Sequence, residues 1–306
     1  MKRILSPSIP VRPRFIFLAL FGLSLIHGSV FAGEIPFSTQ NVIDLTFLDA
    51  RSVETIDIDG DGDLDVMAVA QGSQDDVGWF ENTAGDGSAW TERLITDGLT
   101  NPGWARAGDI DGDGDLDVVA ADLGDLSNTG QVVWLENTGA YGAAWPQVVI
   151  ASFNGVEPVE VGDLDGDGDL DVVASSFLID DVVWYENTGA GATWAAARKI
   201  DDFLQGKGLA VFDVDQDGDL DVGTAAPDGF ARVDFGKVTW SENPGPAAIG
   251  AAASWTRHEL NDALFDGARG LCFADIDGDG DIDAGTAADG DGGQPDAIAW
   301  FENSGD

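Results

Sequence analysis

The sequence predicts an all-β fold, a β-propeller of five four-stranded blades in a ring closed by an N-terminal strand that completes the last blade. Three recurring features predict it. The stretch DIDGDGDLDV starts at Asp57, repeats letter for letter from Asp109, and returns in near-copies from Asp163, Asp213 and Asp275, at spacings of 50 to 62 residues. A W-x-E-N tetrapeptide follows each copy, at Trp79, Trp134, Trp184, Trp240 and Trp300. An aromatic-led run comes next: WTERLI from Trp90, WPQVVI from Trp145, WAAARKI from Trp194 and WTRHEL from Trp255. Self-similarity at a period near fifty dictates architecture before any local signal does.

Each unit reads as four strands in a fixed order. The first runs into the aspartate cluster, as WARAGDI does from Trp104, and the second leaves it as LDVVAAD from Leu116. The third is QVVWLEN from Gln131, and the fourth is the tryptophan-led run. Short β-branched segments separated by glycine-rich turns fit a propeller blade. Helical solenoids would need a 3.6-residue period that is missing here. The last unit stops at WFENSGD, where its fourth strand is due, and FSTQNVID from Phe37 aligns with WTERLITD from Trp90. An N-terminal strand can therefore complete the last blade and pair two otherwise open edges. A fragment of a larger ring would carry the same strand, and that alternative stays open.

Composition narrows the function classes. The chain has 14 Lys+Arg against 56 Asp+Glu, which argues against a nucleic-acid binder and against anionic membrane surfaces. With 44% hydrophobic residues and 10 Trp it can bury a sizeable core. Lys2, Arg3, Arg12 and Arg14 precede the apolar run FIFLALFGLSLI, and Val30 and Ala32 offer small residues at a cleavage site. Residues 1–32 read as a signal peptide and 33–306 as the propeller, with a secreted or periplasmic destination and no membrane insertion after cleavage. The run is shorter than the roughly 20 residues that span a bilayer. Cleavage removes four basic residues and no acids, leaving a formal charge of −46. Cys272 is the single cysteine, so no disulfide forms within the chain, and a small buried thiol is expected.

So many like charges in a short loop repel unless something neutralises them. Five acids recur in each: Asp57, Asp59, Asp61, Asp63 and Asp65; Asp109, Asp111, Asp113, Asp115 and Asp117; Asp163, Asp165, Asp167, Asp169 and Asp171; Asp213, Asp215, Asp217, Asp219 and Asp221; Asp275, Asp277, Asp279, Asp281 and Asp283. Numbering each loop from its first aspartate, positions 1, 3 and 5 place oxygens on one side of a tight turn, glycine at 6 permits the bend, and position 7 can offer its carbonyl. That donor set suits Ca²⁺, up to five ions in all, better than Mg²⁺. A helical EF-hand would need glutamate at position 12, where Ala68, Ala120, Ala174, Thr224 and Thr286 stand. The position 9 aspartate must then close the site.

DIDGDGDLDVVA followed by WLENTG resembles the VCBS/FG-GAP repeats, related to the β-propeller of integrin α-subunits. The resemblance spans roughly residues 37–306. It implies a Ca²⁺ in the loop joining the first two strands of each blade, on the lower face, held by side chains at 1, 3, 5 and 9 and the main chain at 7. Many members have seven blades, so a fragment of a seven-bladed ring remains the alternative. Gln216 replaces glycine at position 4 of the fourth loop, with its aspartates kept.

By the family's geometry, segments entering the first strands build the upper face. Six residues before each cluster stand Arg51, Gly103, Glu157, Lys207 and Arg269. Arg106, Arg232 and Lys237 join them on that face, as do Trp104, Phe153, Phe203, Phe230 and Phe265. Arg51, Lys207, Arg269 and Trp104 are the candidate ligand residues, for a glycan or extracellular protein partner. The tryptophan of W-x-E-N is expected in the core and its asparagine in a turn with unusual backbone angles. A binding or adhesion module is the leading function. The alternative is a carbohydrate-active enzyme, hydrolase or lyase, with Glu157 and Glu160 as carboxylate candidates. No catalytic residue is assigned: His258 sits on a repeated strand, and no nucleophile elbow occurs.

Overall fold

The computed structural model describes residues 40–72, 74–125, 129–139, 144–176, 178, 181–202, 206–226, 237–249, 255–260, 267–288 and 297–305. The leader over 1–32 lies outside them, as do Phe203, Phe230, Arg232 and Phe265.

The protein is a five-bladed β-propeller. Blade one is β1 (Ala50–Ile56), β2 (Asp65–Ala70), β3 (Val77–Glu81) and β4 (Thr91–Thr96). Blade two is β5 (Pro102–Gly108), β6 (Asp117–Gly124), β7 (Thr129–Leu135) and β8 (Gln147–Ser152). Blade three follows with β9 (Val156–Gly162), β10 (Asp171–Ser176), β11 (Asp181–Tyr185) and β12 (Arg198–Asp201). Blade four has β13 (Gly208–Phe212), β14 (Asp221–Ala225), β15 (Val238–Glu242) and β16 (Thr256–Glu259), with a single helical turn at Pro246–Ile249 before its last strand. Blade five has β17 (Ala268–Ala274), β18 (Asp283–Ala288) and β19 (Ala297–Phe301). Each is an antiparallel meander in chain order, with three strands in the fifth sheet among the described residues.

The segment expected as its fourth strand, Phe37 to Asp44, lies outside the described residues over 37–39, and 40–44 carry no strand. Locally, Asp44 Oδ1 accepts the backbone N–H groups of Thr46 and Phe47, an arrangement that folds the chain into a turn. Phe47 then packs edge-on against Phe80 of blade one, ring centroids 5.5 Å apart.

Packing explains the strand sequences. The second strand of an inner blade is covered by neighbours on both faces, so β10 (DVVASS) is buried throughout, whereas β8 nearer the rim is only partly buried. Apolar layers join successive blades: Trp79 and Val77 of blade one meet Ala105, Val118 and Leu135 of blade two. Equivalent layers hold Val119 with Val172, Trp184 with Val211 and Val214 with Phe273. A buried ion pair adds to the second layer: Arg106 donates to both oxygens of Glu160, at 2.8 and 2.7 Å. Among the described residues no helix is long and apolar enough to cross a membrane.

Candidate functional site

Each aspartate loop closes the hairpin between a blade's first and second strands, as Ile56 pairs with Asp65 in blade one. The turn needs left-handed backbone at positions 4 and 6, where φ is 71° at Gly60 and 98° at Gly62. Gln216 adopts φ 61° in the fourth loop, which costs a non-glycine residue about 1 kcal/mol. Its amide donates to the Gly280 carbonyl of the next loop at 2.5 Å, an offsetting contact.

The same hydrogen bonds recur in all five loops. The position 6 N–H donates to the position 1 carboxylate at 3.0 to 3.2 Å. The N–H at 5 donates to the carboxylate at 3, and that at 7 to the carboxylate at 5. The second position 1 oxygen is buried without a hydrogen-bond partner at Asp57, Asp109 and Asp213. Buried polar atoms are rarely left so.

Ligand-capable oxygens lie within 4.8 Å of one another in five groups: Asp57, Asp59 and Asp61; Asp109, Asp111 and Asp113; Asp163, Asp165 and Asp171; Asp213, Asp215 and Asp221; Asp275, Asp277 and Asp279. Burial, with neighbouring carboxylates adding to it, pushes the position 3 carboxyl above its ordinary value in every loop. Orphaned oxygens, carboxylate-only donors and mutual repulsion all fit a hard divalent cation.

Positions 9 and 7 have further contacts. Both oxygens of each position 9 aspartate accept backbone N–H groups: Asp65 from Ile58 at 3.2 Å and Asn82 at 2.8 Å, with the same pair of bonds at Asp117, Asp171, Asp221 and Asp283. Position 9 therefore pins the loop to the third strand, and only Asp171 and Asp221 also reach the ligand groups. Burial raises Asp65 and Asp117 to about 6, and Asp171 and Asp221 to about 7. At position 7 the side chains of Asp63, Asp219 and Asp281 lie against Gly85, Gly245 and Gly305, on the W-x-E-N turn. No position 7 side chain belongs to a ligand group among the described residues.

The W-x-E-N asparagine is a hydrogen-bond hub rather than a residue of unusual backbone angle. None of the five has positive φ. Asn187 donates its side-chain amide to Ile110 O of the preceding blade at 2.8 Å and to Leu170 O at 3.2 Å, and accepts from Gly191 N at 2.9 Å. Asn243 likewise donates to Leu164 O of the blade before it at 2.8 Å. The five-fold recurrence of the asparagine was visible in sequence, but its partner across the blade boundary was not.

On the upper face, Lys207 pairs with Glu157 across blades four and three. Its ammonium is held down to about 8, by burial first and then by the positive charges of Arg269 and Arg51, while the Glu157 carboxylate beside it acts the other way. Three expected cations from blades four, five and one thus share one electrostatic neighbourhood. Trp104 is not part of that group: it packs in the layer between blades two and three, with the Arg106 guanidinium 5.2 Å from its ring. Arg106 is committed to Glu160 and is buried, and Lys237 pairs with Glu259 at 2.5 Å. Both carboxylates proposed for glycoside chemistry, Glu157 and Glu160, are taken up by ion pairs. His258 stacks on Trp240 at 4.2 Å and bonds Glu242 at 2.8 Å. Cys272 is exposed, not buried as expected, because no described residue covers its side of the last blade.

Fold and loops together define a repeat propeller with an acidic, metal-competent loop in every blade. The FG-GAP-like repeat family matches residues 57–120 and 109–174, which take in the first three loops. The five-bladed fold is consistent with an FG-GAP/VCBS-repeat β-propeller, and the loops from Asp213 and Asp275 repeat the hydrogen-bond pattern of the matched ones. No curated protein matches the chain.

Proposed function

We propose that this chain is an exported calcium-binding propeller acting as a non-catalytic binding or adhesion module, with a glycan or protein ligand seated at the upper channel mouth. In each loop the aspartates at positions 1 and 3, joined by 5 or 9, would hold the ion. Bound calcium would neutralise the carboxylates and so favour the folded blades. The basic n-region, apolar run and small residues before Ala32 support export.

The observation that supports the binding reading is that the charges of Arg51 and Arg269 act on Lys207, which is paired with Glu157, in a chain of net charge −42. A concentration of positive charge on so acidic a protein suits an anionic or hydroxyl-rich group, and guanidinium forks grip carboxylates in two-pronged fashion.

A screen of the purified protein against glycans and polysaccharides, in millimolar Ca²⁺ and again with chelator, tests this. Calcium-dependent retention on a defined anionic class, lost in the Arg51→Ala, Arg269→Ala double variant, is the expected result. Retention unchanged in that variant overturns the mouth as the site. Release of reducing ends would instead mark a carbohydrate-active enzyme, and absence of retention on every glycan would move the ligand to a protein.

A further inference from the structure

Five copies of one unit let each hydrogen bond be compared with its counterparts. In every blade the W-x-E-N asparagine donates its side-chain amide to the position 8 carbonyl of its own loop, at Leu64, Leu116, Leu170, Leu220 and Ile282. Among the described residues only Asn187 and Asn243 also donate to the loop of the preceding blade, to Ile110 O and Leu164 O, both at 2.8 Å. Asn137 makes no such bond to Ile58, nor Asn303 to Val214, among those residues. A second difference falls on the same two blades. The position 9 aspartate belongs to the ligand-capable group in loops three and four, as Asp171 and Asp221, whereas position 5 takes that place in the other three.

These bonds form one unbroken line. Asp117 accepts from Ile110 N, Ile110 O accepts from the Asn187 side chain, and Asn187 N donates to Asp171. Asp171 accepts from Leu164 N, Leu164 O accepts from the Asn243 side chain, and Asn243 N donates to Asp221. Every residue on the line is nearly fully buried, where hydrogen bonds hold more strongly than in water. Each position 2 carbonyl belongs to the peptide unit whose N–H is that of position 3, the ligand-capable Asp111 or Asp165. The asparagine thus grips a peptide that carries a ligand of one loop, while its own N–H is held by a ligand-capable aspartate of the next.

We propose that Asn187 and Asn243 are positioning residues that couple ion binding in neighbouring loops, so that loops two, three and four fill cooperatively; this rests on the calcium reading above. Fixing Asp171 as a ligand fixes the Asn187 backbone and, through its side chain, the peptide of Asp111. Order gained in one loop then need not be gained again in the next, which favours the second ion over the first. Coupling of this kind is reciprocal and typically changes affinity about 5- to 150-fold. Loop one receives no asparagine bond from blade two among the described residues and serves as an internal reference. Loop five meets loop four through a different contact, the exposed Gln216 amide.

Calcium titration of the whole chain by proton–nitrogen NMR reads each loop separately, because the position 6 glycine N–H donates to the position 1 carboxylate in all of them. A stabilising osmolyte keeps the chain folded at low calcium, checked by circular dichroism. The Gly114, Gly168 and Gly218 signals should move together with a Hill coefficient above one, while Gly62 follows a simple single-site curve. Asp165→Asn weakens loop three and leaves the asparagine bonds in place. It should raise the half-saturating calcium of loops two and four about fivefold or more, with Gly62 unmoved. Asn187→Ala should separate Gly114 from Gly168 while Gly168 and Gly218 stay together; a merely structural loss would shift Gly62 as well. If the four glycines titrate independently, or if Gly62 moves with the others, the coupling is overturned and the calcium reading stands. Signals that ignore calcium altogether overturn both.

Discussion

Removing divalent cations is the perturbation with the largest expected effect. Five loops each bring three ligand-capable carboxylates within 4.8 Å, and three of them bury a position 1 oxygen without a partner. Exposed extracellular sites of this donor type commonly bind at about 10⁻⁴ to 10⁻³ M. In 10 mM calcium, linkage then gives roughly 1.4 to 2.7 kcal/mol for each site. Over five independent sites that is about 7 to 14 kcal/mol, comparable with the roughly 5 to 15 kcal/mol that holds a typical domain folded. The metal-free protein should therefore be marginal or unfolded at room temperature. Thermal unfolding by circular dichroism, in 10 mM calcium and in excess chelator, reads this directly, and readdition of calcium should restore the transition. Asp109→Asn should lower the calcium-dependent part by about one site's share. A melting temperature that does not move on chelation would refute the reasoning, because the hydrogen bonds of the loops would then be sufficient without an ion.

Asn187→Ala should cost about 3 to 5 kcal/mol in urea unfolding, because it strands the buried Ile110 and Leu170 carbonyls and the Gly191 N–H. Asn303→Ala, at the half-buried edge blade, should cost about 1 kcal/mol, and equal losses in the two would contradict the role of the cross-blade bond. Lys207 should lose its proton in the folded protein as pH rises through about 8, below the ordinary 10.5. The unfolded chain still holds that proton up to its own pKa, so stability should rise with pH between those values, and anion binding at the mouth should weaken over the same window. Lys207→Met should flatten both profiles; a slope that persists in the variant would assign the titration to another group.

Most of the fold was legible because the repeat is written in residues with strong local preferences. Aspartates at alternate positions, with glycines where φ is 71° and 98°, specify a turn before any tertiary contact exists. The W-x-E-N tryptophan was readable as core in blades one to three, where a following blade covers it, but at Trp300 the same letters are exposed. Burial belongs to the neighbour as much as to the residue. Cys272 failed the expectation of burial for the same reason.

The sequence by itself determined the repeat, the strand order within a unit and the acidic loop of each, because these rest on periodicity and short-range turn chemistry. Only the tertiary structure decided which cations meet. Arg51, Lys207 and Arg269 lie more than fifty residues from one another along the chain, yet in the fold the charges of both arginines lower the Lys207 pKa. It also decided that Arg106 and Trp104 are spent on packing between blades two and three, and that each position 9 aspartate anchors a strand. Spacing along a chain sets which groups can turn toward a common side; which groups finally meet depends on how whole sheets stack, and no single repeat contains that information.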